Sequence, residues 1–209
     1  MSIASNKLLE TSFESMASGV ARNEVKGNDV LGLGSGSAVA RFARALGERA
    51  RNEADFKVRV IPSSLQSWLL AKENGLSLAE DSGHCPQEID VAVDGADQIS
   101  LSTRAMIKGG GGALLKEKII ISSAKRCYIL ADESKFVPRN LTRPVPVEVT
   151  PFSVLTVESK LRSIFGGTPA LRKLDKGYPF VTESGNLILD LQFPSQGIPD
   201  PIEAELKIK

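Results

Sequence analysis

The chain has 209 residues, 42% of them hydrophobic and 24% charged, with 26 Lys and Arg against 25 Asp and Glu for a net charge of +1. That length supports one large or two small domains with a sizeable core, and the balanced charge gives no electrostatic footprint for nucleic acid or an anionic membrane surface. Two cysteines, Cys85 and Cys127, are too few for a disulfide framework, residues 1–7 lack the apolar core of a signal peptide, and no apolar run is long enough to span a bilayer, so a cytoplasmic protein is expected.

Leu9, Phe13, Met16 and Val20 recur at helical spacing, which predicts an amphipathic N-terminal helix with these residues as its apolar face. Val30-Leu31-Gly32-Leu33-Gly34 reads as a short buried strand running into a glycine turn. Val39, Phe42, Ala43 and Leu46 then return to helical spacing. The turn departs from the dinucleotide fingerprint, because Ser37 stands where the third glycine belongs, and no lysine follows where a nucleotide P-loop needs one. What remains is a small loop with two hydroxyls, Ser35 and Ser37, leading into the N–H groups of a helix start. It suits one phosphate or several sugar hydroxyls, and it equally suits a tight turn with no ligand.

Val58-Arg59-Val60-Ile61 is the next short strand, ended by Pro62. Ser63 and Ser64 supply a cap, and Leu65, Trp68 and Leu69 begin another helix. Residues 81–87 form a polar loop with His84, Cys85 and Pro86. His84 is the only histidine, and two adjacent residues do not make a metal site, so it reads as a solvated loop residue.

Ile89-Asp90-Val91-Ala92-Val93 runs into Asp94-Gly95-Ala96-Asp97-Gln98. Asp-Gly is a hairpin signal, but the strand is apolar on both faces, which favours a central parallel strand. In open α/β sheets ligands bind beyond the carboxyl ends of strands, so Asp94 and Asp97 stand where functional groups belong.

Ile107-Lys108-Gly109-Gly110-Gly111-Gly112-Ala113 leads into an apolar helix that carries Glu117 and Ile119-Ile120-Ile121. Glycines let a ligand approach the main chain, a helix start directs N–H groups back at the loop, Lys108 adds a positive charge, and Glu117 adds a carboxylate. A cradle for negative charge beside a base points to chemistry on a small anionic substrate. The competing reading is a flexible linker, against which the flanks are apolar rather than Ser-rich.

Cys127-Tyr128-Ile129-Leu130 is predicted as a further buried strand, ending in the polar run Ala131-Asp132-Glu133-Ser134-Lys135. Lys135 has the length to reach a phosphate, although these residues alone favour an ordinary surface lysine. Beyond Pro138 the texture changes. Arg143-Pro144-Val145-Pro146-Val147-Glu148-Val149 reads as an edge strand, where prolines are tolerated. Val154, Val157, Leu161 and Ile164 make a helix closed by Gly166-Gly167. Phe180-Val181-Thr182 and Leu187-Ile188-Leu189 flank Glu183-Ser184-Gly185-Asn186 as a hairpin. Asp200, Pro201 and Glu203 mark a helix start whose helix has barely begun when the sequence stops at Lys209, which suggests a partly represented C-terminus. Together these elements predict an α/β fold: a Rossmann-like, mostly parallel sheet over residues 1–139, and a smaller α+β, ferredoxin-like domain over residues 140–209.

The sequence resembles type A ribose-5-phosphate isomerases. The resemblance rests on Gly34-Ser35-Gly36-Ser37, Asp94-Gly95-Ala96-Asp97, Lys108-Gly109-Gly110-Gly111-Gly112-Ala113 with Glu117-Lys118, and Asp132-Glu133-Ser134-Lys135. Pro146-Val147-Glu148-Val149 and Thr182-Glu183-Ser184-Gly185-Asn186 with Leu187-Ile188-Leu189-Asp190 extend it into the second domain. It implies an aldose–ketose isomerase of ribose 5-phosphate and ribulose 5-phosphate that uses no metal or other cofactor and assembles as a homodimer or homotetramer, with no nucleic-acid or membrane partner. It implies Glu117 as the base between C2 and C1, and Asp94 and Asp97 for hydroxyl protons and ring opening. Lys108 with the N–H groups of Gly109, Gly110 and Gly111 would meet the enediolate oxygen. Ser35, Gly36, Ser37, Ala38, Gly95, Ala96 and Lys135 fall where the family binds substrate.

Three features depart from the family's pattern: Gln98 in place of the usual Glu, Ala38 in place of the usual Thr, and a family chain that continues well past the helix at Asp200. Two other function classes are weighed against the isomerase. A sugar-phosphate sensor of related fold lacks support from any helix-turn-helix or basic face. An acyl-CoA transferase of related fold would use Glu117 as a nucleophile, but Asp94 to Asp97 suits sugar hydroxyls better.

Overall fold

A computed structural model describes residues 3–79, 88–194 and 197–208, with side chains from Phe13 onward. The loop at 81–87 with His84 and Cys85 lies outside the described residues. In chain order the elements are α1 (Ile3–Asn23), β1 (Val30–Leu33), α2 (Gly36–Asn52), β2 (Arg59–Pro62), α3 (Leu65–Glu73), β3 (Ser77–Leu78) and β4 (Ile89–Gly95). There follow β5 (Gln98–Ser100), β6 (Met106–Ile107), α4 (Leu114–Ser123), β7 (Ala124–Leu130), β8 (Phe136–Val137), β9 (Val145–Val149), α5 (Val154–Phe165), β10 (Thr168–Leu171), β11 (Leu187–Gln192) and α6 (Pro201–Ile208). Contacts divide the chain into two compact units that interleave along the sequence: Met1–Gly95 with Lys116–Asp132, and Ala96–Leu115 with Glu133–Lys209.

The first unit is built on a parallel sheet in the order β3-β2-β1-β4-β7. β1 lies between β2 and β4, pairing Leu31 with Val60 on one side and with Val91 on the other. The chain travels outward from β1 in one direction through β2 and β3, then starts again on β1's other side with β4 and β7. The carboxyl ends of β1 and β4 therefore flank the point where the strand order reverses, the usual place for a ligand in such sheets. Both sheet faces are covered. Leu31, Leu33, Val91 and Val93 pack with Phe13, Ala17, Val39, Phe42, Ala43 and Leu46 on one side. Ile61, Ile89, Ala92 and Ile120 pack on the other. This explains why β1 and β4 read as continuous apolar runs.

Three details differ from the periodicity reading. In α1 the buried line is Phe13, Ala17 and Ala21, and Met16 is exposed, because the small alanines let α2 pack closely. In α3, Leu65 and Leu69 are exposed while Ser67 and Ala71 are buried, since Ser67 closes a reciprocal capping box with Ser64. β7 was expected to be buried but is the edge strand, alternating exposed and sheltered residues with Cys127 exposed. It is fastened at that edge by Arg126, which donates to the Glu24 carbonyl at 2.9 Å, and by Tyr128, whose hydroxyl donates to the Glu24 carboxylate. That donation pushes the Tyr128 hydroxyl above its ordinary acidity constant.

The second unit contains two small sheets. One has the order β6-β5-β8, with β5 antiparallel to β6 and parallel to β8. The other is antiparallel, β10-β11-β9, with β9 at its edge as its prolines foretold. Val147, Val149, Leu189, Leu191 and Phe193 form its core with Leu161 of α5 and Ala204 of α6. α5 ends at Gly166 in the left-handed conformation, and Asp200 caps α6 by accepting from the N–H groups of Ile202 and Glu203. The hairpin expected at residues 180–189 is reduced to one bridge between Val181 and Leu187, because β11 spends its backbone bonds on β9 and β10. No described helix is long and apolar enough to cross a membrane.

Asp90 ties the amino ends of three strands together. Its carboxylate accepts from the Val30 N–H at 2.9 Å and from Lys125 Nζ at 3.0 Å. The Val30 N–H first, and Lys125 second, hold the carboxyl below its ordinary value near 3.8. A carboxyl lowered in the folded state stabilises the fold above its unfolded pKa, and that contribution is lost as pH falls through the folded value. Asp90→Asn is therefore expected to cost about 1 kcal/mol at pH 7 and to flatten the acid limb of stability below about pH 4. Urea unfolding at pH 7 and pH 3 measures both.

Candidate active site

In the first unit, β1 is a strand whose glycines let neighbours come close. A methyl group on Gly32 would lie 2.3 Å from Ile120 Cγ2, so α4 rests on β1 at this point. Glu117 lies three residues before Ile120 on the same buried face of α4. That displacement carries it toward the carboxyl end of β1, and there Ser35 Oγ donates to Glu117 Oε1 at 2.5 Å. The distance is typical of a hydroxyl on a carboxylate.

Gly34 makes the second close approach. It is the next residue after the Leu33↔Val93 pair, beside Asp94, and its N–H donates to the Val93 carbonyl at 2.9 Å. A side chain there would begin 2.1 Å from Asp94 Oδ1. In its absence Asp94 lies against the turn, and Oδ1 accepts from its neighbour Gly95's N–H at 2.7 Å and from Ser35's at 3.3 Å. Asp94 is 2% exposed and Glu117 4%. One residue thus serves two buried carboxylates, Ser35 through its N–H and its hydroxyl.

Ser35 is also the N-cap of α2, yet its side chain makes no capping bond. Gly36 N–H donates instead to Gln66 Oε1 at 2.8 Å, leaving Ser37 and Ala38 as the turn's remaining first-turn donors. Ser37 is exposed and Ala38 packs partly against the core. A helix start of this kind favours an anion.

In the second unit, the β5–β6 hairpin pairs Gln98 with Ile107, so the next rung sets Asp97 opposite Lys108; Asp97 N–H donates to the Ile107 carbonyl at 2.9 Å. β8 pairs Phe136 with Ile99, which sets Lys135 beside Gln98 on β5's other flank. Asp97, Lys108 and Lys135 therefore come to the same end of this sheet, Lys108 across from Asp97 and Lys135 beside Gln98. Asp97 Oδ2 accepts the Gly110 N–H at 2.8 Å.

The sequence reading gave no structural role to four polar residues around these groups. Gln66 is the first. Gln98 is the second: its oxygen accepts from Thr142 and Arg143 N–H at 2.7 and 3.1 Å, and its amide donates to Thr142 Oγ1 at 3.1 Å. Third, Glu148 accepts from Leu115 N–H in the first turn of α4 at 3.2 Å, and from Thr182 and Asn186 side chains at 2.7 and 3.0 Å. The spacing Glu148 to Thr182 carries no local signal, though both lie in segments noted for the resemblance. Arg172 is the fourth and is treated below. Among the described residues no group of three His, Cys, Asp or Glu side chains is arranged to hold a metal ion.

Two buried carboxylates at the switch point of a parallel sheet, with a helix start alongside, are the features of an α/β enzyme acting on a small anionic molecule. The family model for ribose 5-phosphate isomerase A (phosphoriboisomerase A) matches residues 59–209. Ribose-5-phosphate isomerase A of Chlamydia muridarum is 42% identical over 178 residues, 85% of this chain and 72% of that protein. The structure of ribose 5-phosphate isomerase A from Methanocaldococcus jannaschii superposes with a TM-score of 0.85 at 36% identity, covering 95% of this chain and 85% of that one. A D-ribose-5-phosphate isomerase in complex with phospho-erythronic acid gives 0.83 at 36% identity, with 94% and 84% covered. The chain belongs to the ribose 5-phosphate isomerase A family.

The approach of Gly34 to Asp94 yields a direct test. Gly34→Ala places a methyl group inside the Asp94 carboxylate, and either the strand or the buried acid must move. The expected cost is roughly 2–3 kcal/mol, read as a lower urea midpoint at unchanged slope. A midpoint equal to that of the wild type would mean that Asp94 has room to withdraw.

Proposed function

We propose that this chain interconverts D-ribose 5-phosphate and D-ribulose 5-phosphate through an enediolate, with Glu117 as the base. The observation that carries the reading is the seat of Glu117: a buried carboxylate with one oxygen held by Ser35 Oγ at 2.5 Å, beside Asp94 at the carboxyl ends of β1 and β4. Membership of the family supports it, as does the relative solved with phospho-erythronic acid, a phosphorylated sugar acid.

The chemistry needs a base, a stabiliser for the negative charge that forms on oxygen, and a way to open the sugar ring. A proton next to a carbonyl is weakly acidic, so a carboxylate held in place and a set of N–H or ammonium donors must act together. Asp94 and Asp97 move hydroxyl protons during ring opening. Glu117 takes the proton from C2 and returns it to C1, and the hydroxyl proton of O2 passes to O1 with Asp94 and Asp97 handling it, so the overall reaction is redox-neutral and balanced without a cofactor. Lys108 and the glycine-loop N–H groups meet the enediolate oxygen. Lys135, Ser37 and the start of α2 hold the phosphate, since Ser35's own hydroxyl is engaged by Glu117. Assembly as a homodimer or homotetramer belongs to the same proposal.

The test is isomerisation of ribose 5-phosphate by the wild type and by Glu117→Gln, which keeps size but cannot accept the proton. The variant is expected to lose roughly a hundred-fold or more in kcat with KM little changed. Substrate deuterated at C2 should pass part of its label to C1 of the product, as one base on one face requires. A wild-type chain that forms no ribulose 5-phosphate, or a variant with near-normal turnover, would overturn the reading.

A further inference from the structure

Arg172 lies in the second unit just after β10, outside every motif discussed so far. Its guanidinium is fixed on three sides. Nε donates to Asp190 Oδ2 at 2.8 Å and Nη2 to Asp190 Oδ1 at 2.5 Å, a two-pronged pair that sets the plane of the fork. The Phe180 ring lies 6.0 Å from its central carbon. Nη1 then donates to two successive carbonyls of the glycine loop, Gly109 at 3.2 Å and Gly110 at 3.1 Å. The fork holds a loop that has no side chains of its own with which to fix its shape.

These two bonds determine where the loop's N–H groups point. The structure contains no cis peptide bonds, and in a trans peptide the N–H points opposite to the carbonyl. With the Gly109 carbonyl turned to Arg172, the Gly110 N–H faces away, and it donates to Asp97 Oδ2 at 2.8 Å. One peptide unit is therefore gripped at both ends, by the guanidinium on its oxygen and by Asp97 on its N–H. The Gly110 carbonyl binds the same Nη1, so the Gly111 N–H also faces away from Arg172. A cation on a carbonyl polarises the peptide and strengthens the N–H at its far end as a donor.

We propose that Arg172, oriented by Asp190, is a positioning residue for catalysis. It sets the Gly109–Gly110 and Gly110–Gly111 peptides so that their N–H groups hold Asp97 and meet the charge that forms on the substrate oxygen. It touches no substrate itself. The proposal deepens the isomerase reading and rests on it. The Gly109 carbonyl also accepts the Gly112 N–H at 3.2 Å, a bond within the loop itself, so it is the fork that ties these two carbonyls to the end of β10, and its loss loosens both peptides.

The experiment compares wild type, Arg172→Lys and Arg172→Gln for kcat and KM with ribose 5-phosphate, for the inhibition constant of phospho-erythronic acid, and for thermal midpoint. Lysine keeps the charge but cannot serve Asp190 and two carbonyls in one plane. The expected result is a fall in kcat of about ten-fold or more in both variants with KM changed less than about three-fold. The inhibition constant of phospho-erythronic acid should rise by a factor comparable to the fall in kcat, since its planar carboxylate resembles the enediolate. A purely structural role lowers the active fraction or the thermal midpoint but leaves that inhibition constant unchanged, because the constant does not depend on how much enzyme is active. An unchanged inhibition constant or an unchanged kcat therefore overturns the proposal. Should Arg172→Gln fail to fold, Arg172→Lys decides on the same readouts. Wild type without isomerase activity would instead refute the functional reading, so the two failures are distinguishable.

Discussion

The first unit depends on one constraint: two carboxylates, Asp94 and Glu117, must be kept almost wholly out of water without collapsing the sheet beneath them. A buried carboxylate without donors costs several kcal/mol, so each must be met by polar hydrogens at fixed positions. Ser35 meets both. Its N–H reaches Asp94 and its hydroxyl reaches Glu117, and this is possible because it stands at the end of a strand that carries glycine at 32 and 34. Gly32 lets α4 descend onto β1, and Gly34 makes space for Asp94. The packing of the helix and the placing of the acids are consequences of the same two missing side chains.

The second unit follows a similar logic by different means. Four glycines cannot hold a shape through side-chain packing, so the loop is held through its main chain, from Arg172 on one side and Asp97 on the other. Nearby, Gln98 is held by three bonds to Thr142 and Arg143. Its oxygen does what a glutamate oxygen would do, and its amide finds an acceptor in the Thr142 hydroxyl. The departure from the family's usual glutamate at this position is thus satisfied locally. At Ala38 the methyl group packs partly against the core, and α2 begins without the hydroxyl a threonine would bring.

Much of this was legible in the sequence, and the reason lies in period and punctuation. β4 was readable as a central parallel strand because it is apolar on both faces, and β1 as a short buried strand because its apolar run ends in a glycine turn. α2 was readable because Val39, Phe42, Ala43 and Leu46 all face one core. α3 was readable as a helix from its serine cap, although Leu65 and Leu69 prove exposed and Ser67 is buried by its place in the capping box. β7 misled because an edge strand with the residues Cys-Tyr-Ile-Leu looks like an interior one when its neighbours are unknown. β10 gave no signal: Thr-Pro-Ala-Leu has neither alternation nor length, and it is a strand only because β11 offers it a ladder. The same holds for the site. Glu117, Asp94, Asp97 and Lys108 sit in glycine-rich motifs that announce themselves, whereas Gln66, Glu148 and Arg172 act through long-range bonds that local sequence does not encode.

The central claim is that the Ser35 hydroxyl seats Glu117, the proposed base, rather than the substrate's phosphate. It is tested most directly by the steady-state kinetics of Ser35→Ala beside Ser35→Thr, since threonine fits the extended backbone at this position and keeps the hydroxyl. If Ser35 Oγ holds Glu117, the alanine variant should lose about ten-fold in kcat with KM within about three-fold of wild type, and threonine should restore most of the rate. An alanine variant with wild-type kcat and a raised KM would contradict the account, because the hydroxyl would then be a ligand of the substrate and not the seat of Glu117.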